Sequence, residues 1–550
     1  MGATRTTSAE LAHRLYALAW LGVAAVALAL RGYQIGEQIL IDDELHALAK
    51  VATSDYRGIA TTLGLQDHSI PLTLFYAWLA SIGRLSELSM LALPWLAGVG
   101  AIALCARFAW RHATRAEALT FGALLAVSPL LVLFTRQARP YAITLLLGLV
   151  AVHAAWCWSR DGRLRHVLLH VACGVLAVWF HLIVAPFVFG VWVYFLGEWL
   201  AGERRDRQRL RAILGWGALA GVLATALLAP AVWNDWGKLQ YKVATEHATW
   251  TTAWRTLHMM FGTRSTLLAV VLAALAVLGT IMLSKRQPRA VRFVLTLIVL
   301  QVAGILLTGP LWLSRALVLS RYLLLCVPFL LFAASVGFVA CVAHLLPRGR
   351  AIGAMLGAAL IAMLYASGPL PAALAYPNAF FGHYIYFLDV DPAHNELIPY
   401  LAAGPMPAFY EQLGTRPPGS LTLIEAPWRF ESMFDREPLF QRVHRQHVEI
   451  GMVGNLCPPG TYAEQARALV PNRFRHFIDL ALPLGELRKR GDFVVFHRRL
   501  DLANLTQPWA LYDGKGLPPV DACIAAFRNA VGAPVFEDAT ITVFALAPHG

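Results

Sequence analysis

From Leu11 to Leu30 the chain runs almost without charge, Arg14 being the exception. A stretch of roughly 20 apolar residues is what an α-helix needs to cross a hydrocarbon core. Comparable stretches begin near Leu88, Ala116, Tyr141, Val167, Ala185, Ala212, Ser265, Ala290, Arg321 and Ala351, which predicts about eleven spans. Inside a bilayer no water takes the backbone's hydrogen bonds, so such segments must be helical. Composition agrees: 58% of the 550 residues are hydrophobic and 14% charged, too apolar for a soluble domain of this size. The first segment is too long for a cleaved signal peptide and lacks a small-residue cleavage site, so it reads as a retained anchor.

A net charge of +13 would suit nucleic acid, but its placement follows the membrane. Basic residues cluster in alternate loops: Arg107, Arg111 and Arg115; Arg160, Arg163 and Arg165; Arg204 to Arg211; Lys285, Arg286 and Arg289; Arg348 and Arg350. The positive-inside rule puts these loops in the cytoplasm. That pattern holds only if Ile70 to Gly83, about 14 residues and short for a span, is an interfacial or re-entrant helix. The expected protein therefore sits in a bacterial inner membrane with its N-terminus inside. A membrane domain covers 1–369 and an extracytoplasmic domain 370–550.

The tail, at roughly 180 residues, is long enough for one domain. Its pattern predicts a mixed α/β fold, with strands at Leu421 to Glu425, Phe493 to Arg498 and Thr540 to Leu546 and a helix at Ala522 to Val531. Of the 7 cysteines only Cys457 and Cys523 lie in this tail. In an oxidising compartment a disulfide is their expected fate; two unrelated buried thiols are the alternative. The chain has no Cys-x-x-Cys, no Gly-x-x-x-x-Gly-Lys-Ser/Thr and no Gly-x-Gly-x-x-Gly after a strand. Zinc ribbons, ATP-driven transport and dinucleotide redox chemistry therefore lack support.

Asp42-Asp43-Glu44 follows the first span and faces outward in this topology. Carboxylates beside hydrocarbon are costly unless they face a polar cavity, which marks them as functional candidates. One of them can take the proton of an attacking hydroxyl; an acidic cap on a helix from Leu45 to Val51 is the bland alternative. Asp67 and His68 close the same loop. Arg136 and Arg139 before the fourth span, and Arg315 and Arg321 before the tenth, stand outside against the positive-inside pattern. Their planar, permanently charged forks suit phosphate; lipid headgroups or carboxylates within the bundle are the other partners to weigh. His181, near the outer end of the fifth span, reads also as a packing residue. Trp236, Tyr241, Trp250 and Trp254 suit either sugar stacking or an interfacial aromatic belt. Two signals are discounted: Asp389-Val390-Asp391 lies outside, away from nucleotide sugars, and His444 with His447 lacks further ligands.

Taken in order, the motifs of Leu11 to Leu345 resemble the GT-C superfamily of integral-membrane glycosyltransferases. The resembling branch holds protein O-mannosyltransferases, lipid A aminoarabinose transferases and rhizobial lipopolysaccharide galacturonosyltransferases. The motifs are Asp43-Glu44, an Asp-x-His-Pro-Pro-Leu-like stretch at Asp67 to Leu72, Ala138-Arg139-Pro140-Tyr141, Phe180-His181 and Arg321-Tyr322. The chain departs from the family at Ile70-Pro71, where Pro-Pro is usual, and at Ser69, with His68 one place early. Arg84 is the nearest candidate for the family's arginine by the second span.

The resemblance implies a GT-C-like α-helical polytopic fold of about 11 transmembrane helices with the α/β domain outside. It implies a polyprenyl-phosphate sugar as donor, transfer with inversion, and an envelope glycan, lipid or protein as acceptor. Asp43 would be the general base, with Glu44 and Asp42 beside it. Arg321, Arg139, Arg136 and Tyr322 would surround the donor phosphate, and Asp67, His68, His181 and Tyr141 would contact substrate. No organic cofactor is implied; some relatives bind a divalent metal, for which no ligands are assigned here. The rival reading is a non-enzymatic transporter or flippase with an outward sensor domain. Such proteins often show internal repeats and charges near the midplane, whereas here no repeat is evident and the candidate charges crowd one face.

Overall fold

The computed structural model describes residues 3–40, 44–63, 69–202, 206–243, 246–347, 349–375, 406–427, 437–453, 456–457, 473–498 and 520–546. Each stretch expected to span is helical. Among the described residues, 8 helices are long and apolar enough to cross a membrane, or 9 with Arg115–Val127 and Pro129–Thr135 counted as one bent span. This is a multi-pass membrane protein. The remaining pair, Leu164–Phe180 and Ala351–Ser367, are apolar but shorter, which is why the count falls below the eleven expected. A 17-residue helix such as Leu164–Phe180 rises about 26 Å, slightly less than the hydrocarbon core. Ile70–Ser81 is a helix of 12 residues, too short to cross.

The bent span shows how local chemistry fixes the bundle. Pro129 has no N–H, so the Leu125 carbonyl that would pair with it four residues back is left over. Arg31, wholly buried on the first helix (Ala3–Gly32), takes up the vacancy. Its guanidinium donates to the carbonyls of Leu125, Ala126 and Ala27, each at 3.0 Å. The indole of Trp95 donates to the Arg31 carbonyl at 3.1 Å, and Arg136 donates to that of Leu30 at 3.3 Å. Arginines thus satisfy the polar ends that a helix terminus and a 55° break expose. Elsewhere Thr266–Arg286 and Val327–Leu345 pack backbone to backbone. A Cβ on Gly279 would collide with the Ala333 carbonyl, and one on Gly337 with that of Leu275. Small residues permit this approach.

By contacts the chain divides into two compact units, Met1–Tyr33 with Arg57–Leu72 and Leu91–Pro371, and Gln34–Tyr56 with Thr73–Met90 and Ala372–Gly550. In the second unit, the described residues form a six-stranded sheet in the order β3-β2-β1-β4-β6-β5. The strands are β1 Thr422–Ala426, β2 His447–Met452, β3 Phe477–Asp479, β4 Phe493–His497, β5 Phe536–Glu537 and β6 Ile541–Ala545. Pairing among β3, β2, β1 and β4 is parallel; β6 runs antiparallel to β4, and β5 to β6. Strand alternation sends Ile424, Val494, Phe496 and Phe544 to one face, against Ile524 and Phe527 of the helix Val520–Val531. Leu423, Val495 and Val543 face Phe409, Tyr410 and Phe440 on the other. Both faces are covered, as a largely parallel sheet requires.

The buried Glu425 carboxylate on β1 accepts from Tyr410 Oη at 3.0 Å and from His497 Nε2 at 2.7 Å. His444 is wholly buried beside Tyr410, with 5.4 Å between rings. Burial pushes its pKa down to about 3, so it packs as a neutral ring. Cys457 and Cys523 are joined by a disulfide, with 4.7 Å between their Cα atoms and 66 positions of sequence between them. On chain-entropy grounds a loop of that length contributes about 4 kcal/mol. Reducing the bond should therefore lower the urea midpoint of the domain, read by limited proteolysis of the sheet; an unchanged midpoint would contradict it.

Candidate functional site

Three helix ends converge in the first unit. Tyr141 opens the helix Tyr141–Asp161, with Pro140 as its N-cap. His181 ends Leu164–Phe180 in extended conformation, φ −158° and ψ 108°, ahead of the turn Leu182–Val184. Arg321 and Tyr322 end the short helix Ala316–Tyr322. The Tyr141 ring is the hub: the guanidinium carbons of Arg139 and Arg321 each lie 5.7 Å from its centroid. The His181 ring is 5.6 Å away and Phe134 4.8 Å. Arg321 also lies 5.3 Å from the Tyr322 ring, which is 5.9 Å from His181. Arg139 Nη2 reaches the Tyr141 hydroxyl at 3.5 Å.

Tyrosine faces attract both cations and set their orientation. Two guanidinium forks against one ring, with Arg139 and Tyr141 buried, can grip a phosphate through paired, charge-assisted hydrogen bonds. The surrounding low dielectric strengthens such bonds.

One buried side chain holds these ends in place. Gln301, on Pro288–Thr308, donates from Nε2 to the carbonyls of Tyr322 at 2.9 Å and Ile183 at 3.0 Å. Its Oε1 accepts the Phe187 N–H at 3.0 Å. The turn after His181, the helix following it and the end of the Arg321 helix therefore share one amide. Sequence reading passed over Gln301; its signal was a lone amide in an apolar span, costly unless satisfied. Thr252 Oγ1 adds a bond to the Ser314 carbonyl at 2.8 Å. Arg315 stacks over the Trp312 ring at 3.9 Å.

The structure thus brings Arg139, Tyr141, His181, Arg321 and Tyr322 together. Arg136, expected from the sequence at the phosphate, is buried against the first helix's end. Asp42, Asp43, Asp67 and His68 lie outside the described residues. Glu44 belongs to the second unit and is 1% exposed. The helix after it, His46–Thr53, has Leu45 at its N-cap without a side-chain bond and no acid in its first turn. Among the described residues no three His, Cys, Asp or Glu side chains are grouped to hold a metal ion.

A scan against protein-family models and a search of curated proteins find no match. Among solved structures the chain is similar to ArnT from Cupriavidus metallidurans in the apo state, at 14% identity over 98% of each chain, with a TM-score of 0.42. It is similar to the same protein bound to undecaprenyl phosphate, at 14% identity over 97% of this chain and 98% of that one, TM-score 0.41. A third is the Archaeoglobus fulgidus oligosaccharyltransferase tethered to an acceptor peptide, at 12% identity over 88% of this chain and 69% of that one, TM-score 0.40.

Proposed function

We propose that this protein is a membrane glycosyltransferase that moves a sugar from a polyprenyl phosphate to an acceptor hydroxyl at the outer face of the inner membrane. The observation that supports this reading is the pair of guanidinium groups, Arg139 and Arg321, on the Tyr141 ring. In such a transfer the acceptor oxygen attacks the anomeric carbon while Asp43 takes its proton. The bond from that carbon to the phosphate oxygen breaks with inversion. The departing phosphate gains negative charge, which Arg321 and Arg139 would stabilise most strongly in the transition state. Glu44 and Asp42 would position acceptor and base; Tyr322 and Arg136 would support the phosphate site. Tyr141, His181, Asp67 and His68 would frame the sugar. A donor carried by lipid needs no nucleotide-binding loop, consistent with the absence of one from the sequence.

Mass spectrometry of envelope glycolipids and glycans with and without the gene tests the reading. One glycosyl increment should vanish from one acceptor class, and identical profiles in every fraction would count against it. Orientation has its own check. A periplasm-active reporter fused after Gly550 should be active and one fused after Arg209 inactive. The reverse pattern would put the acidic loop on the wrong side for a lipid donor presented outside.

A further inference from the structure

The second unit contains a buried imidazole that the proposed chemistry does not use. His476 lies just before β3 and is 1% exposed. Its Nδ1 is 3.0 Å from Glu449 Oε2 on β2, and its Nε2 is 3.2 Å from the Gly36 carbonyl. Both partners can only accept. A neutral imidazole has one N–H and would turn a lone pair on the other oxygen; the doubly protonated ring donates to both.

Neighbouring contacts tighten the same junction. Arg475 Nη1 pairs with Glu37 Oε1 at 2.7 Å. The backbone N–H groups of Arg475 and His476 donate to the two carboxylate oxygens of Glu87, each at 3.1 Å, and Arg490 donates to the Arg475 carbonyl. The clamped turn, Ile35–Glu37, is entered through Gln34 at φ 50°. Left-handed backbone at a residue other than glycine persists where the surroundings enforce it. Glu37 stands five positions before Asp42 in the chain.

We propose that His476, as an imidazolium paired with Glu449, is a positioning residue. Through the Gly36 carbonyl it fixes the turn Ile35–Glu37, which precedes Asp42, Asp43 and Glu44 in the chain, so the C-terminal domain acts on transfer through residues 34–40. The effect on transfer rests on the glycosyltransferase reading; the clamp itself does not. The charged groups facing this junction are Glu449, Glu87, Glu37, Arg475 and Arg490. Burial lowers the imidazole's pKa, but the hydrogen bond and charge of Glu449, the bond to Gly36 and the charge of Glu87 together outweigh it. The pKa is raised above 6.5. With the folded value raised, the clamp is complete below the unfolded pKa and is lost as pH climbs through the folded one.

Hydrogen–deuterium exchange on the full-length protein in nanodiscs, corrected for intrinsic rates, tests this together with sugar transfer. His476→Ala should speed exchange of residues 34–40 by about tenfold, while β1 and β4 amides stay protected and show the domain folded. In the wild type the same loop should loosen as pH rises above the ordinary imidazole range, because the pKa of His476 is raised. His476→Gln, whose amide still donates to Gly36 but does not titrate, should keep it protected throughout. The turnover number of His476→Ala should fall about tenfold with KM for the donor unchanged. Unchanged loop exchange in His476→Ala overturns the clamp. Faster exchange with full turnover overturns the positioning role. If the wild type transfers no sugar, the glycosyltransferase reading has failed, and the exchange results decide the clamp alone.

Discussion

Asp43→Asn is expected to lower sugar transfer by about 100-fold or more, since a positioned base contributes that much to a reaction whose nucleophile must lose a proton. Asparagine keeps the size and much of the hydrogen bonding of aspartate but cannot accept the proton. Donor binding and yield of folded protein should therefore change little, and the loss should fall on turnover rather than on KM. Steady-state transfer with saturating donor measures this directly. Near-normal transfer by the variant would eliminate Asp43 as the base and move the role to Asp42 or to the buried Glu44.

The second large effect is expected at Arg321. Arg321→Ala removes a cation from the Tyr141 hub and should cost about 100-fold to 1,000-fold in turnover, the range for losing one preorganised donor to a developing anion. Arg321→Lys retains the charge without the planar fork and should fall between wild type and alanine. Because Arg139 shares the same ring, the double alanine variant should lose less than the product of the single losses. Affinity for polyprenyl phosphate should follow the same order. If Arg321→Ala binds polyprenyl phosphate as well as wild type does, the phosphate role is wrong.

Much of this was legible in the sequence because long, uniform patterns carry their own physics. Each apolar stretch became a helix, and β1, β4, β6 and the helix Val520–Val531 lie within about two residues of their expected bounds. Arg139, Tyr141, His181, Arg321 and Tyr322 were each singled out and meet in space. The span count was less legible, since an apolar window does not distinguish a full span from the 17-residue Leu164–Phe180 or register the bend at Pro129. β3 and β5, of 3 and 2 residues, are too short to leave a period. Arg31 and Gln301 escaped notice because their partners are carbonyls stranded at breaks, set by tertiary packing rather than by any motif. The bond between His476 and Gly36 spans 440 positions, beyond the reach of local pattern.

The central claim is that sugar leaves a lipid phosphate. Purified protein in liposomes, given a polyprenyl-phosphate sugar labelled in the phosphate and the acceptor lipid or glycan found by mass spectrometry, measures this most directly. The account predicts one free polyprenyl phosphate for each sugar transferred, an inverted anomeric linkage in the product, and loss of both in Arg321→Ala. Transfer that proceeds from a nucleotide sugar, with no polyprenyl phosphate released, would contradict it.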